Sequence, residues 1–306
     1  MSSTVVIGSG FEVLPEQINL IRKHTPVISN SIETIYTVKD PKILKQILDE
    51  ENINFPHTVF KRKELISSKK YLVKKIGANG GAHIFYESSF VNINQLFDKD
   101  FYYQEFINGQ VHSAVFLANG HQAKLIGLNR LLQSKQFIDQ PFLYEGAITV
   151  YFDDQHTLDN ITHIINKITK RTNLFGLCGI DFIIDEDGSI FIIDINPRPP
   201  TTFELHESEQ SLFLAHIDCF NKGLINYSYD DHSYSKGHII YYAKKNLLIP
   251  KDLEWPSWVR DRPHGNQQIA IKNPVCSIYA EANKEQDVYD MLINYMSEIE
   301  LFIKSI

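Results

Sequence analysis

The chain has 306 residues, 43% of them hydrophobic, and carries 37 acidic against 30 basic side chains for a net charge of −7. That length supports a large core and two or three subdomains, while interspersed charge without a basic tract argues against nucleic acid as a partner. No apolar run approaches the ~20 residues a bilayer-spanning helix needs, and "MSSTVVIGSGFEVLPEQ" resembles no leader, so a cytoplasmic protein without membrane contact is expected.

In chain order, "TVVIGSG" (residues 4–10) reads as a short buried strand running into a glycine turn. It is the first βα unit of a parallel sheet, with a helix from about Pro15 to Lys23 and a second strand near Val27 and Ile28. Gly8-Ser9-Gly10 is read as a turn rather than a nucleotide fingerprint. "DPKILKQILDEENINFPHTVF" places Ile43, Leu44, Ile47 and Leu48 at helical spacing and becomes extended after Pro56. A strand from Tyr71 to Ile76 carries Lys74 into Gly77-Ala78-Asn79-Gly80-Gly81 and returns at His83-Ile84. Glycines let backbone N–H groups approach phosphate oxygens, and a nearby ammonium balances the charge; the alternative is a flexible turn.

Three further strand runs follow between Phe101 and Gln133, broken at Asn108-Gly109 and Asn119-Gly120, the second a hairpin signal. "YYQEFI" leaves a strand into a connection, where Gln104 offers an amide oxygen and the backbones of Glu105 and Ile107 could read an adenine edge. Residues 157–172 form a helix with Leu158, Ile161, Ile164, Ile165 and Ile168 in one core-facing stripe. A helix is expected from about Glu204 to Lys222, then a polar aromatic linker over 226–237, a strand-rich remainder, and a closing helix from Glu285 to Ile303. Trp255-Pro256-Ser257-Trp258 with His264-Gly265 is either a substrate-side loop or a packed aromatic corner. Cys178, Cys219 and Cys276, odd in number and set in apolar sequence, read as buried free thiols.

The most informative stretch is "GIDFIIDEDGSIFIIDINPRP", Gly179 to Pro199. It reads as two core strands around a turn at residues 185–188, yet it carries Asp181 and Asp194, whose burial is costly without compensation. An even-length loop puts Asp181 opposite Ile192 and makes Asp181 and Asp194 diagonal neighbours on one face, with Asn196 two residues further on. Phe182, Ile184, Phe191, Ile193 and Ile195 then take the other face. Three oxygen-bearing side chains at one end of a buried hairpin suit Mg²⁺ or Mn²⁺ held jointly with phosphates, and Arg198 just beyond offers a planar fork to a phosphate or carboxylate. An odd-length loop sends the two acids to opposite faces.

A lysine strand, a glycine-rich hairpin, a Gln-Glu-Phe-Ile hinge and an Asp…Asp-Ile-Asn-Pro-Arg hairpin, in that order over about 36–204, resemble the ATP-grasp superfamily. The resemblance implies an α+β fold in which two subdomains clamp MgATP, and an ADP-forming ligase that makes an acyl phosphate for attack by an amine. It implies a shortened N-terminal βα domain over 1–36, a small lid subdomain over 37–105, a central subdomain with the metal site over 106–232, and a small strand-rich domain over 233–306. It assigns nucleotide contacts to Lys74, Gly80, Gly81, Gln104, Glu105, Phe106 and Ile107, and an earlier phosphate-binding lysine to Lys42, with Lys39 competing. Mg²⁺, one or two ions, falls to Asp181, Asp194 and Asn196, and Asn196 and Arg198 serve the transferred phosphoryl group.

The chain departs from the family pattern at Asp194, where most members have a glutamate, and at Val111, where many place a ribose-binding glutamate. "NPRPPTT" and the segment 241–265 resemble a smaller branch of amine ligases, similar to the tyramine–glutamate ligase and associated with one-carbon metabolism. Other readings are a bicarbonate-activating carboxylase or small-molecule kinase on the same scaffold, or a non-catalytic nucleotide-binding module. The shortened first domain makes a homodimer an expectation.

Overall fold

The computed structural model describes residues 4–89, 100–133, 136–225, 227 and 234–304. Of the linker expected over 226–237, only Tyr227 and the part from Tyr234 onward fall among them. An eight-stranded sheet, antiparallel in every pair, forms the body, and the strands Thr58–Val59, Phe101–Glu105, Tyr71–Lys75 and Ile84–Tyr86 form a second, four-stranded antiparallel sheet. A short parallel pair, Val5–Val6 with Val27–Ile28, stands before them with the helix Glu16–Arg22 between its strands, as the sequence predicts.

The helix Gln155–Thr172 starts where the Asp154 carboxylate accepts from the N–H groups of His156 and Thr157, and ends at left-handed Asn173. Its stripe, Ile161, Ile164, Ile165 and Ile168, packs on Phe116, Cys178, Ile180, Phe182, Ile192 and Ile195 of the large sheet. Burial of this apolar area, at roughly 25 cal/mol per Å², fixes which face of each strand turns inward. The other face carries Leu177, Val115 and Leu117 against the helix Leu212–Lys222.

That last helix is shorter than expected. Residues 201–206 form a separate 3₁₀ turn, and Ser211 restarts the chain as an N-cap accepting from the Leu214 N–H. The capping hydroxyl competes with a continuous helix and wins.

Of the carboxy-terminal strands, Leu247–Leu248 and Gln268–Ile269 pair in a small sheet of their own, while the others join the main sheet. Ser235–Tyr242 pairs with Gly146–Val150 and with Pro274–Ala282, so the main sheet runs on past residue 233. A helix Ile32–Lys39, capped by Ser31, also runs across residue 36. The three cysteines are free and buried. Trp255 packs on Phe302 and Trp258 stacks on Tyr295 at 4.5 Å, which makes that segment an aromatic corner.

Candidate active site

The hairpin of strands Phe175–Asp185 and Ile190–Asn196 corrects the expected register in two ways that cancel. Its turn is closed by Asp185 N–H to the Ser189 carbonyl with Gly188 left-handed (φ 79°), which leaves three residues between the pair, an odd loop. The ladder then pairs Ile184 with Ile190 and Phe182 with Ile192, where unbroken continuation would set Asp181 against Ile193. A bulge after Ile192 takes up one extra residue, so Asp181 lies directly opposite Asp194, and Gly179 opposite Asn196. The core face is accordingly Phe182, Ile184, Ile190, Ile192 and Ile195, with Phe191 and Ile193 outside it. Directly opposed residues have Cβ atoms roughly 5 Å apart, closer than the diagonal arrangement the sequence suggested.

Two carboxylates so placed repel each other. Burial, then the charge of Asp194, pushes the Asp181 carboxyl above the usual carboxylate range, with Lys39, Arg198 and Lys74 pulling it back. Lys39, not Lys42, supplies the ammonium at this point: its Nζ donates to Asp194 Oδ1 at 2.8 Å, to Oδ2 at 3.0 Å and to Asn196 Oδ1 at 3.3 Å. Lys42 instead stands 5.1 Å over the Phe60 ring. The Lys39 ammonium is a cation resting on three oxygens, and hard oxygen donors of this kind suit Mg²⁺ or Mn²⁺. Among the described residues no three of His, Cys, Asp and Glu gather into one group. A divalent ion here would therefore rest on two carboxylates, one amide oxygen, and oxygens shared with a phosphate.

The four-stranded sheet brings Lys74 to the same place. Strands Tyr71–Lys75 and Ile84–Tyr86 pair across the glycine loop as expected, Lys74 opposite Ile84. Lys74 is 7% exposed, and its Nζ donates to Gln104 Oε1 at 2.6 Å. Burial lowers its pKa to about 8 although Asp194 and Asp181 both act to raise it. Gln104 is thus occupied otherwise than predicted: its amide oxygen takes the lysine and its amide nitrogen reaches Thr58 Oγ1 at 3.4 Å. On the hinge, the Glu105 N–H donates to the His57 carbonyl, the Phe106 N–H to the Lys70 carbonyl, and the Glu105 carboxylate takes Lys69 at 2.6 Å. Ile107 follows in the turn toward the next strand, on which Val111 lies opposite Ile183.

Gly80 and Gly81 are both left-handed (φ 74° and 76°). The Gly80 carbonyl accepts from the Tyr144 N–H at 2.9 Å, and a Cβ on Gly81 would sit 1.8 Å from the Phe142 carbonyl oxygen. The loop is seated against segment 142–144 of the body, a contact only glycine permits.

Arg198 is held from a direction the sequence did not reveal. Its Nε donates to Glu12, whose other oxygen accepts from the Gly10 N–H at 2.8 Å, and its Nη2 reaches Asn196 Oδ1 at 3.3 Å. Glu12 is 6% exposed, so the pair is shielded from water. The signal was the glycine turn beside Glu12, read only as a turn. His83 is a second omission: burial, then Lys74, lowers its pKa to about 4, with Asp194 acting against them.

A family model described as an ATP-grasp domain matches residues 38–202. The tyramine–L-glutamate ligase of Methanocaldococcus jannaschii is 38% identical over 136 residues, 44% of this chain and 37% of that protein. The enzyme of the same name from Methanocaldococcus fervens is 30% identical over 221 residues, 67% of this chain and 64% of that protein. The chain therefore spans less than two thirds of the length of either relative. Among solved structures, biotin carboxylase from Campylobacter jejuni in complex with a β,γ-ATP ligand superposes with a TM-score of 0.71 over 94% of this chain and 73% of that one, at 12% identity.

Proposed function

The chain belongs to the ATP-grasp family, and from that premise we propose that it is an ADP-forming ligase that joins a small carboxylic acid to an amine. The observation that carries the reading is the opposed pair Asp181 and Asp194, with Asn196, Lys39 and Arg198 around it and Lys74 reaching in from the lid. The names of the two relatives, each a tyramine–L-glutamate ligase, support an amino acid as carboxylate and a primary amine as acceptor.

In this reading Lys74 and Lys39 meet the phosphates, with Lys42 at the margin. Gly80 and Gly81 cover the phosphates, and the hinge Gln104, Glu105, Phe106 and Ile107 borders the adenine. The side chain of Gln104 acts there by holding Lys74. A carboxylate oxygen of the substrate attacks the γ-phosphorus, the bond to the ADP oxygen breaks, and an acyl phosphate forms. Arg198, steadied by Glu12, offers its fork to the transferred group. Asp181, Asp194 and Asn196 would hold Mg²⁺, which when bound neutralises charge on the phosphate oxygens. The amine then displaces phosphate from the acyl carbon. No protein nucleophile is required; the chain contributes placement, charge and exclusion of water.

The test is product chemistry. With ATP, Mg²⁺ and L-glutamate, ADP release is expected to rise on adding tyramine, and otherwise with another acid–amine pair from a panel of amino acids, polyamines and tyramine-like amines. Full release with the acid alone would make the protein a kinase, and release with no pair would make it a nucleotide-binding module.

A further inference from the structure

Beside the phosphate loop stands a buried polar group that holds neither nucleotide nor cation in the scheme above. The Tyr144 N–H donates to the Gly80 carbonyl at 2.9 Å, and its own carbonyl accepts from Tyr242 Oη at 2.7 Å. The main chain is pinned on both sides, which fixes where the phenol points. Tyr144 Oη meets His238 Nε2 at 2.7 Å, and His238 is 1% exposed on the strand Ser235–Tyr242. Beyond the ring, His238 Nδ1 lies 3.2 Å from Glu204 Oε1, on the 3₁₀ turn that follows Arg198. Nδ1 makes no aligned hydrogen bond, so this is a close but off-line approach, a geometry common at acid–base sites before substrate binds. Glu204 is half-exposed. The three groups thus run from the edge of the phosphate loop to solvent.

Packing alone does not call for this series. A phenol and an imidazole buried on each other each cost desolvation, and a ring nitrogen without an aligned partner costs more. With the Nδ1 proton toward Glu204, the Nε2 lone pair faces the phenol, so Tyr144 donates to His238. Burial, followed by the charges of Asp181 and Glu204 and by Tyr242, holds the Tyr144 proton well above its ordinary range. The phenol can hand a proton on while receiving one, but does not stand as an anion.

The ligase reaction needs such a group. An aliphatic amine is an ammonium at neutral pH and has no lone pair with which to attack. Lys39 and Arg198 are cations, and Asp181 and Asp194 face a cation, so none of them takes its proton. We propose that Tyr144, His238 and Glu204 form a proton relay that deprotonates the attacking amine, an inference that rests on the ligase reading. The substrate N–H bond breaks and the proton goes to Tyr144 Oη as the phenol's own proton passes to His238 Nε2, and Glu204 holds the resulting imidazolium. The freed nitrogen pair forms the C–N bond, the C–O bond to phosphate breaks with its pair on phosphate, the departing phosphate takes the second proton from the nitrogen, and the first proton leaves through Glu204 to water. Tyr144 touches the reacting atom; His238 and Glu204 are positioning residues that act through it. The acceptor class this selects is a basic primary amine.

Hydroxylamine separates the relay from the rest, because it is already largely unprotonated at neutral pH. Parent, Tyr144→Phe and Glu204→Gln are assayed with ATP, Mg²⁺ and L-glutamate, or the acid the panel identifies, against tyramine and against hydroxylamine. Tyr144→Phe is expected to lower amide formation about 100-fold while hydroxamate formation stays near the parent's, with Glu204→Gln losing less. Loss of both products together, or of neither, overturns the relay. A parent that makes neither product fails the ligase reading instead, and the relay is then judged by nitrogen-15 NMR of the His238 ring. A neutral ring protonated on Nδ1, with Nε2 shifted in Tyr144→Phe, is expected; protonation on Nε2, or an unmoved Nε2, overturns it.

Discussion

If Lys74 meets the ATP phosphates, nucleotide binding must draw a proton from solution in mildly alkaline buffer. Burial brings the lysine to about 8 from an ordinary 10.5, which corresponds to about 3 kcal/mol against its charged form in the free protein. The sign follows from linkage: with the folded value depressed, the unfolded chain holds more protons between about pH 8 and 10.5. Stability is therefore diminished below that window and regained as pH rises through it. Phosphates beside Nζ supply the missing counter-charge and restore the ordinary affinity for the proton. At pH 8 about half the lysines are neutral, so about 0.5 proton should be taken up per ATP, and about 0.1 at pH 7. Calorimetric titration in two buffers of different ionisation enthalpy reads this number directly. Asp181, whose carboxyl is raised, releases protons to a cation with the opposite sign, and subtracting the Lys74→Met titration removes that contribution. Equal proton numbers for parent and Lys74→Met at pH 8 would refute the placement of Lys74 on phosphate.

Two further outcomes follow from the same geometry. Asp194→Ala should lower Mg²⁺-dependent ATP turnover by more than ~100-fold, since several kcal/mol of charge stabilisation rest on the cation. The half-exposed position should leave circular dichroism unchanged, and turnover near the parent's would remove Asp194 from the metal site. Gly81→Ala should weaken ATP binding well beyond Gly80→Ala. Both bend against a left-handed backbone, at about 1–2 kcal/mol each, but only the Gly81 methyl meets the Phe142 carbonyl, at 1.8 Å against open space at Gly80. Equal nucleotide affinities for the two variants would show that the loop binds ATP without seating on segment 142–144.

The parts of this molecule legible in its sequence are those written in local pattern. The Ile161–Ile168 stripe, the lysine strand turning at a glycine loop, and the two aspartates of a buried hairpin each announce themselves within about twenty residues; the first two are found where periodicity puts them, and the aspartates share the expected face through a different register. What escaped has its cause at long range. The Glu12–Arg198 pair spans 186 residues and the Tyr144–His238 bond 94; Arg198 is marked by its Asn-Pro-Arg context, but nothing local pairs it with Glu12 or sets Tyr144 and His238 apart from core aromatics. The choice between Lys39 and Lys42 was of the same kind. Lys39 closes the helix Ile32–Lys39 and Lys42 opens the next, Pro41–Glu50, and only the docking of helix Ile32–Lys39 against the strand Ile190–Asn196 decides which ammonium reaches Asp194.

The hairpin register shows how a local reading can reach the right face through the wrong ladder. An even loop lets Asp181 and Asp194 share a face; an odd loop forms, which by itself would turn Asp194 into the apolar side beneath helix Gln155–Thr172. Placing that carboxylate among isoleucines costs several kcal/mol. Residue Ile193, the extra position of the bulge, prevents it. The bulge disrupts the ladder locally and leaves Ile193 half-buried rather than in the core, a smaller penalty than burying the charge. The apolar face is fixed by Phe182, Ile190, Ile192 and Ile195, the polar face by Asp181 and Asp194, and no unbroken two-residue repeat satisfies both across that turn. The irregularity is what the two demands together require, and it lies beside the carboxylates it re-aims.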